Sequence, residues 1–419
     1  MRNIFDQYTQ PENRLTHALA CTLQHDRRLI IPFLRHLGIT NTPPIDTLRI
    51  VEQQVPGQDV SGESDASSSL PDMCIFDNDG WAVVVETKVQ AKIEPDQLKA
   101  HRKTARKSGY PDPIIVVIAV GKPVEELVDA DVFVKWSEVY AWFSKRLTRG
   151  SWAEHFVRYV EVFESKQLAE GYGINGTLTM FNGFHFSADN PYTYREGKRL
   201  IRLLGDELQR RKDLHDIGVD PEGKRRGAIK GKGAQRVWDF LPLVVAKDAA
   251  LFTHFPHFTM SISHDAPTAS ITIPNGVKGG LRTRLKSMEC SGFASRVANV
   301  ERRLAPVLRK CPRAQPMLYI TQRHYKHQGA PAVVDARLEA DLRTCCKDSG
   351  SAIKYQPQWV EAIYDVLVGK RSNIQLGIDV RFSYTDPPMQ SESAIGIFAK
   401  TWIAMNPLIH ELLELPAGR

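Results

Sequence analysis

Residues 73–89 constrain the fold more than any other stretch of the chain. Met73–Phe76 and Trp81–Val89 read as two strands joined through Asp77-Asn78-Asp79-Gly80, a strong hairpin signal. Four apolar residues in succession, Ala82–Val85, call for cover on both faces, which suits an interior strand and not an exposed edge. The same strand then ends in Glu86-Thr87-Lys88. Charged side chains at the end of a buried strand are costly unless they are paired or bound to a metal, so this hairpin is the first place to look for chemistry.

Side chains alternate between the faces of a strand. Trp81, Val83, Val85 and Thr87 therefore share one face, and Ala82, Val84, Glu86 and Lys88 the other. If Asn78-Asp79-Gly80 is a three-residue loop with Gly80 in the left-handed conformation, Asp77 pairs with Trp81. Counting outward, Phe76 meets Ala82, Cys74 meets Val84 and Asp72 meets Glu86. Directly opposed residues have Cβ atoms about 5 Å apart. Two carboxylates that close repel unless a cation lies between them. Oxygen ligands without a neighbouring His or Cys select Mg²⁺, with Mn²⁺ as the alternative. Lys88 adds a compact positive charge suited to a phosphate or an attacking water. Asp65, in the small polar stretch Gly62–Ser69, ranks second to Asp72 as the metal carboxylate because it lacks the hairpin match.

Pro71-Asp72, thirteen intervening residues and then Glu86-Thr87-Lys88 resemble the signature of the PD-(D/E)xK nuclease superfamily. Gln97-Leu98 is similar to an element that some branches carry after the E-x-K; where those branches place a Tyr four residues beyond the Gln, this chain has His101. Glu12, in Pro11-Glu12-Asn13-Arg14-Leu15-Thr16, matches the acidic residue often found on the family's first helix. The resemblance covers about residues 10–165. It implies a restriction-endonuclease-like mixed sheet flanked by helices, with Asp72 and Glu86, joined by Glu12, as metal ligands. It further implies Lys88 and Gln97 as catalytic residues, DNA as the favoured substrate with RNA as the alternative, and a role in bacterial defence or restriction.

The pattern around the hairpin is that of an α/β domain. A helix is expected over residues 12–36, a strand at Leu48–Val55, a basic helix at Asp96–Lys107, a buried strand at Pro113–Val120 and a short strand at Val132–Trp136. Helices at Glu138–Leu147 and Trp152–Leu168 follow. The turn-rich stretch Gly171–Gly183 is the candidate boundary, giving a nuclease-like domain at 1–170 and a basic α+β domain for recognition or regulation at 171–419. In the second domain helical pattern is expected at Tyr194–Lys212, Gly292–Leu308, Val334–Thr344 and Pro407–Leu413. Strands are expected at His257–Ser263, Ala269–Ile273, Pro316–Gln322 and Ile374–Tyr384.

Charge is distributed unevenly. Residues 1–170 hold 20 Lys/Arg against 24 Asp/Glu, and the remainder 35 against 24, so the basic excess lies in the second domain and suits a polyanion partner. Two tracts are candidates for nucleic-acid contact. One is the helix with Lys99, Arg102, Lys103 and Arg106; the other is the glycine-rich run containing Lys224, Arg225, Arg226, Lys230 and Lys232. Each has a solvated basic surface as its plainer reading. The six cysteines form no C-x-x-C pair, and the N-terminus lacks the apolar core of a signal peptide. A reduced, cytoplasmic protein without structural zinc and without membrane spans is expected, with a homodimer as one option. The rival function is a catalytically silent nucleic-acid-binding subunit that regulates or assembles.

Overall fold

A computed structural model describes residues 5, 8, 10–54, 70–90, 92–121, 128–170, 177–187, 189, 191–225, 229–230, 236–246, 254–275, 277, 281–327, 330, 332–345, 354–369 and 373–410. The chain divides into two compact units, Met1–Met180 and Phe181–Arg419. The division falls inside the turn-rich Gly171–Gly183 stretch but beyond the expected boundary at 170, because Leu178 is buried in the core of the first unit.

The first unit contains α1 (Pro11–His25), α2 (Ile30–His36), β1 (Arg49–Glu52), β2 (Met73–Phe76), β3 (Ala82–Lys88), α3 (Pro95–Lys107), β4 (Ile114–Ala119), β5 (Val132–Lys135), α4 (Trp136–Ser144) and α5 (Trp152–Glu170). Its sheet runs β1-β2-β3-β4-β5. β1, β2 and β3 are antiparallel, and β3, β4 and β5 are parallel, so the sheet is mixed and β3 is its central strand.

β3 is apolar on both sides because it is covered on both sides. Val83 and Val85 join Met73, Ile75 and residues of α1 and α5 in one core, while Ala82 and Val84 join Cys74, Phe76, Leu98 and Ala105 in the other. Burying a Val side chain contributes about 1.5–3 kcal/mol, and these alternating contacts fix the register, since a one-residue slip would exchange the two faces. The turn behaves as its residues require. Gly80 has φ +98°, where a side chain would be strained, and the Asp77 N–H donates to the Trp81 carbonyl at 3.0 Å.

The expected single helix at 12–36 is instead two, separated by a 3₁₀ turn at Arg27–Leu29. Asp26 leaves helical geometry (φ −119°, ψ 78°), and Arg27 donates to the carbonyls of Ile45 and Leu48, holding the bend.

The second unit contains α6 (Tyr194–Gln209), α7 (Lys212–His215), β6 (Ile229–Lys230), β7 (Arg236–Phe240), β8 (His257–Ser263), β9 (Pro267–Ile273), α8 (Leu281–Ser287), α9 (Cys290–Lys310), β10 (Gln315–Tyr325), β11 (Ala332–Asp341), α10 (Leu342–Cys345), α11 (Gln358–Gly369), β12 (Ile374–Arg381) and α12 (Ser393–Met405). Its sheet is antiparallel, in the order β11-β10-β12-β9-β8-β7-β6.

Two expectations fail here. Residues 334–344, helical by their pattern, fall mainly in β11. Ala, Arg, Leu and Glu favour helices, yet pairing with β10 along the sheet edge overrides that preference. α12 is not among the expected helices; of the expected closing segment Pro407–Leu413, residues 407–410 begin with the end of a 3₁₀ turn at Asn406–Leu408, and residues 411–413 lie outside the described ones. α12 is buried on most of its circumference, with Trp402 donating to the Ser270 carbonyl at 3.1 Å, so it has no polar stripe to reveal its period.

Candidate metal and phosphate site

The antiparallel register of β2 and β3 pairs Met73 with Val85, Cys74 with Val84 and Phe76 with Ala82. Asp72, one residue before β2, therefore stands opposite Glu86. Asp72 Oδ2 accepts from the Thr87 backbone N–H at 2.7 Å and from the Thr87 hydroxyl at 2.8 Å. Thr87 faces α1, where its hydroxyl lies 2.7 Å from that of Thr16. Burial, and then the Glu86 charge beside it, push the Asp72 carboxyl up to about 6, against the pull of the Thr87 donors and of Lys88.

Glu86 is 1% exposed. Its two oxygens are held separately: Oε1 lies 2.6 Å from Lys88 Nζ, and Oε2 lies 2.9 Å from His101 Nε2. Lys88 also donates to Gln97 Oε1 at 3.1 Å. Gln97 and His101 are one turn apart on α3 and face the sheet. His101 is fully buried, and its Nδ1 has no hydrogen-bond partner among the described residues. An ionised carboxylate only accepts, so the His101 tautomer that satisfies this contact is the one with its N–H at Nε2.

Glu12 has a different place. Its Oε1 accepts from the backbone N–H groups of Gln90 at 2.9 Å and Val89 at 3.4 Å, closing the chain just beyond β3. Glu12, Asp72 and Glu86 do not bring one oxygen each within 4.8 Å of one another; the described trio of His, Cys, Asp or Glu side chains that does so is His17, Cys21 and Glu52. The Asp72–Glu86 pair nevertheless suits a hard divalent cation. Both donors are carboxylates, Asp72 Oδ1 makes no hydrogen bond among the described residues, and a carboxylate oxygen already accepting one hydrogen bond keeps a second lone pair.

The basic residues of α3 lie on its other side. With 100° between successive residues, Lys99, Lys103 and Arg106 project roughly opposite Gln97 and His101. With Arg102, Lys107 and Asp129 they line an open depression of about 480 Å³. Arg102 is partly committed to the fold, donating to the carbonyls of Pro113 and Asp129 and to Asp131 Oδ2. These side chains therefore lie on the side of α3 away from Gln97 and His101, which meet Lys88 and Glu86 of β3.

The glycine-rich run gives a mixed result. Lys224 is exposed. Arg225 is not available for phosphate, because it is mostly buried, ion-paired to Asp206 and, at 3.4 Å, to the buried Asp239, and donates to the Arg202 carbonyl. This corrects its expected role, since a guanidinium so enclosed serves the fold. Lys230 lies in β6, paired with Val237, its side chain outside the described residues; Arg226, Lys232 and Asp65 are themselves outside them.

Sequence reasoning gave no part to Thr16, Thr87 or His101. The available signal was the position of His101, one helical turn after Gln97 on the face that meets the sheet. Compared with protein-family models, curated proteins and solved structures, the chain finds no match. Among the described residues no helix is long and apolar enough to cross a membrane.

Proposed function

We propose that the first unit is a Mg²⁺-dependent nuclease that hydrolyses phosphodiester bonds, with DNA as the favoured substrate, on a restriction-endonuclease-like sheet. The observation that carries this reading is Asp72 opposed to Glu86, with Lys88 held between Glu86 and Gln97. Asp72 and Glu86 would hold Mg²⁺, or Mn²⁺, which supplies Lewis acidity and a bound water of lowered pKa.

The surrounding residues keep this arrangement in place. Thr87 fixes Asp72 through two donors, and His101 fixes Glu86 from α3. Lys88 carries its charge at the mouth of the pair, where it stabilises the negative charge that builds on the phosphate in the transition state. Gln97 limits the rotamers from which it does so. The exposed lysines of α3 and the basic excess of the second unit supply sequence-independent attraction to a polyanion.

Incubating the purified protein with supercoiled plasmid and Mg²⁺, Mn²⁺ or EDTA tests the reading. Nicking is expected with either cation and not with EDTA, and Asp72→Ala and Glu86→Ala should each abolish it, the double variant being no worse. Full activity in either single variant would remove these residues from the site. Tight DNA binding with no cleavage under any condition would support the second reading, a silent binding subunit, which the engagement of both Glu86 oxygens by protein groups favours.

A further inference from the structure

A separate set of side chains meets where α1 lies against β1. His17 and Cys21 are one helical turn apart on α1, and Glu52 ends β1. Glu52 Oε2 and Oε1 lie 2.9 and 3.0 Å from His17 Nδ1, and Cys21 Sγ lies 3.7 Å from the same nitrogen and 3.5 Å from Nε2. One donor atom from each residue falls within 4.8 Å of the other two. His17 is 8% exposed, so its ring is committed to this cluster.

We propose that His17, Cys21 and Glu52 bind one Zn²⁺ ion that fastens α1 to β1. At tetrahedral angles, Zn–S bonds of about 2.3 Å and Zn–N bonds of about 2.0–2.1 Å put sulfur and nitrogen about 3.6 Å apart. Sγ now lies over the ring, 3.7 Å from Nδ1 and 3.5 Å from Nε2, so a rotation of the Cys21 side chain toward the Glu52 side of Nδ1 would complete the set. Nitrogen and oxygen ligands need about 3.3 Å, so His17 and Glu52 would separate by only a few tenths of an ångström as a metal replaced their hydrogen bond. An ion pair alone would account for His17 and Glu52. The sulfur beside both ring nitrogens makes this a donor set of thiolate, imidazole and carboxylate, which selects a borderline cation over Mg²⁺. Three protein ligands leave a fourth position for water.

The ion would act on the frame of the acidic pair without touching it. Thr16, next to His17, bonds to Thr87, and the N–H of Gln53, next to Glu52, donates to the Asp72 carbonyl at 3.1 Å. The proposal is independent of nuclease activity.

Full-length protein stripped with EDTA and desalted should take up one Zn²⁺ per chain and melt at a higher temperature once loaded. Loaded with Co²⁺ it should show a thiolate-to-metal charge-transfer absorption. Cys21→Ser should melt in EDTA like the wild type, Glu52→Gln somewhat lower because it also loses the His17 ion pair, and both should bind Zn²⁺ at least about 100-fold more weakly, beyond the 10–100-fold that outer partners of a metal site command. Cys21→Ser should also lose the charge-transfer band, whereas Asp72→Asn should keep both affinity and band. Failure of the wild type to bind zinc, or unchanged affinity in Cys21→Ser, would overturn the proposal. Loss in Asp72→Asn but not in Cys21→Ser would also overturn it, assigning the ion to the acidic pair and leaving the nuclease reading intact.

Discussion

His101 and Glu86 meet inside the protein at 2.9 Å, one on α3 and the other on β3, with neither in contact with bulk water. A buried carboxylate that loses a donor keeps the full cost of its desolvation, about 1–3 kcal/mol and more for a charged group. His101→Ala should therefore lower stability in urea by at least about 2 kcal/mol and reduce cleavage. His101→Gln, which restores an N–H donor, should recover most of both. Equal defects in the two variants would show that ring packing, and not the hydrogen bond, is what Glu86 requires.

Asp72 makes the opposite prediction for stability. Its carboxyl is raised to about 6 in the folded protein from an ordinary 3.8, so the folded state binds the proton more tightly than the unfolded state. Its unfavourable contribution is absent below about pH 3.8, develops as pH rises through the interval to about 6, and is complete above it. At pH 7 without metal, Asp72→Asn should be more stable than the wild type by up to about 3 kcal/mol, at 1.36 kcal/mol per pH unit, and yet inactive. Added Mg²⁺ competes with that proton, so its apparent affinity should rise about tenfold per pH unit up to pH 6 and then level off. Urea melts and Mg²⁺ titrations at pH 4 to 8 measure both; a flat stability difference between the two proteins would refute the assignment.

Lys88 is tied to Glu86 and Gln97 and is mostly buried, which suits charge delivered to a transition state more than a free phosphate anchor. Lys88→Ala should lose cleavage by 100-fold or more, on the order of removing one preorganised donor, with DNA affinity near wild type. Gln97→Ala should give a smaller loss of the same kind. Parallel loss of affinity and cleavage in Lys88→Ala would make it a binding residue.

The exposed face of α3 should behave differently. Changing Lys99, Lys103 and Arg106 to Gln should weaken binding to unrelated duplexes alike and flatten the dependence of log affinity on log salt by about 0.9 for each phosphate that is no longer neutralised. An unchanged slope would mean that nucleic acid does not lie along this face.

Much of the hairpin was legible because its information is local. The NDG turn, the alternation of β3 and its all-apolar run together dictate one register, and the structure adopts it. His101, Thr16 and Thr87 were not legible as partners because their contacts depend on where α1 and α3 dock, which periodicity does not specify. The His17–Cys21–Glu52 cluster was not legible because its third member comes from β1, and the docking of α1 on that strand is not written in local spacing. β11 was misread because its residues favour a helix until a neighbouring strand is present, and Arg225 because a cation in a basic run gives no sign of the carboxylates that enclose it.

The placement of β3 between its antiparallel and parallel neighbours divides the site between a local hairpin and a longer crossover. Once Lys88 has left the ribosome, both carboxylates exist and can be brought together by a hairpin of nearby residues, a fast and local event. Gln97 and His101 lie on α3, inside the crossover that joins β3 to its parallel neighbour β4, a connection whose closure costs more chain entropy than the hairpin's. A nascent chain halted before residue 95 would therefore carry the acidic pair without either partner from α3, so the competence of the centre is tied to completion of the domain.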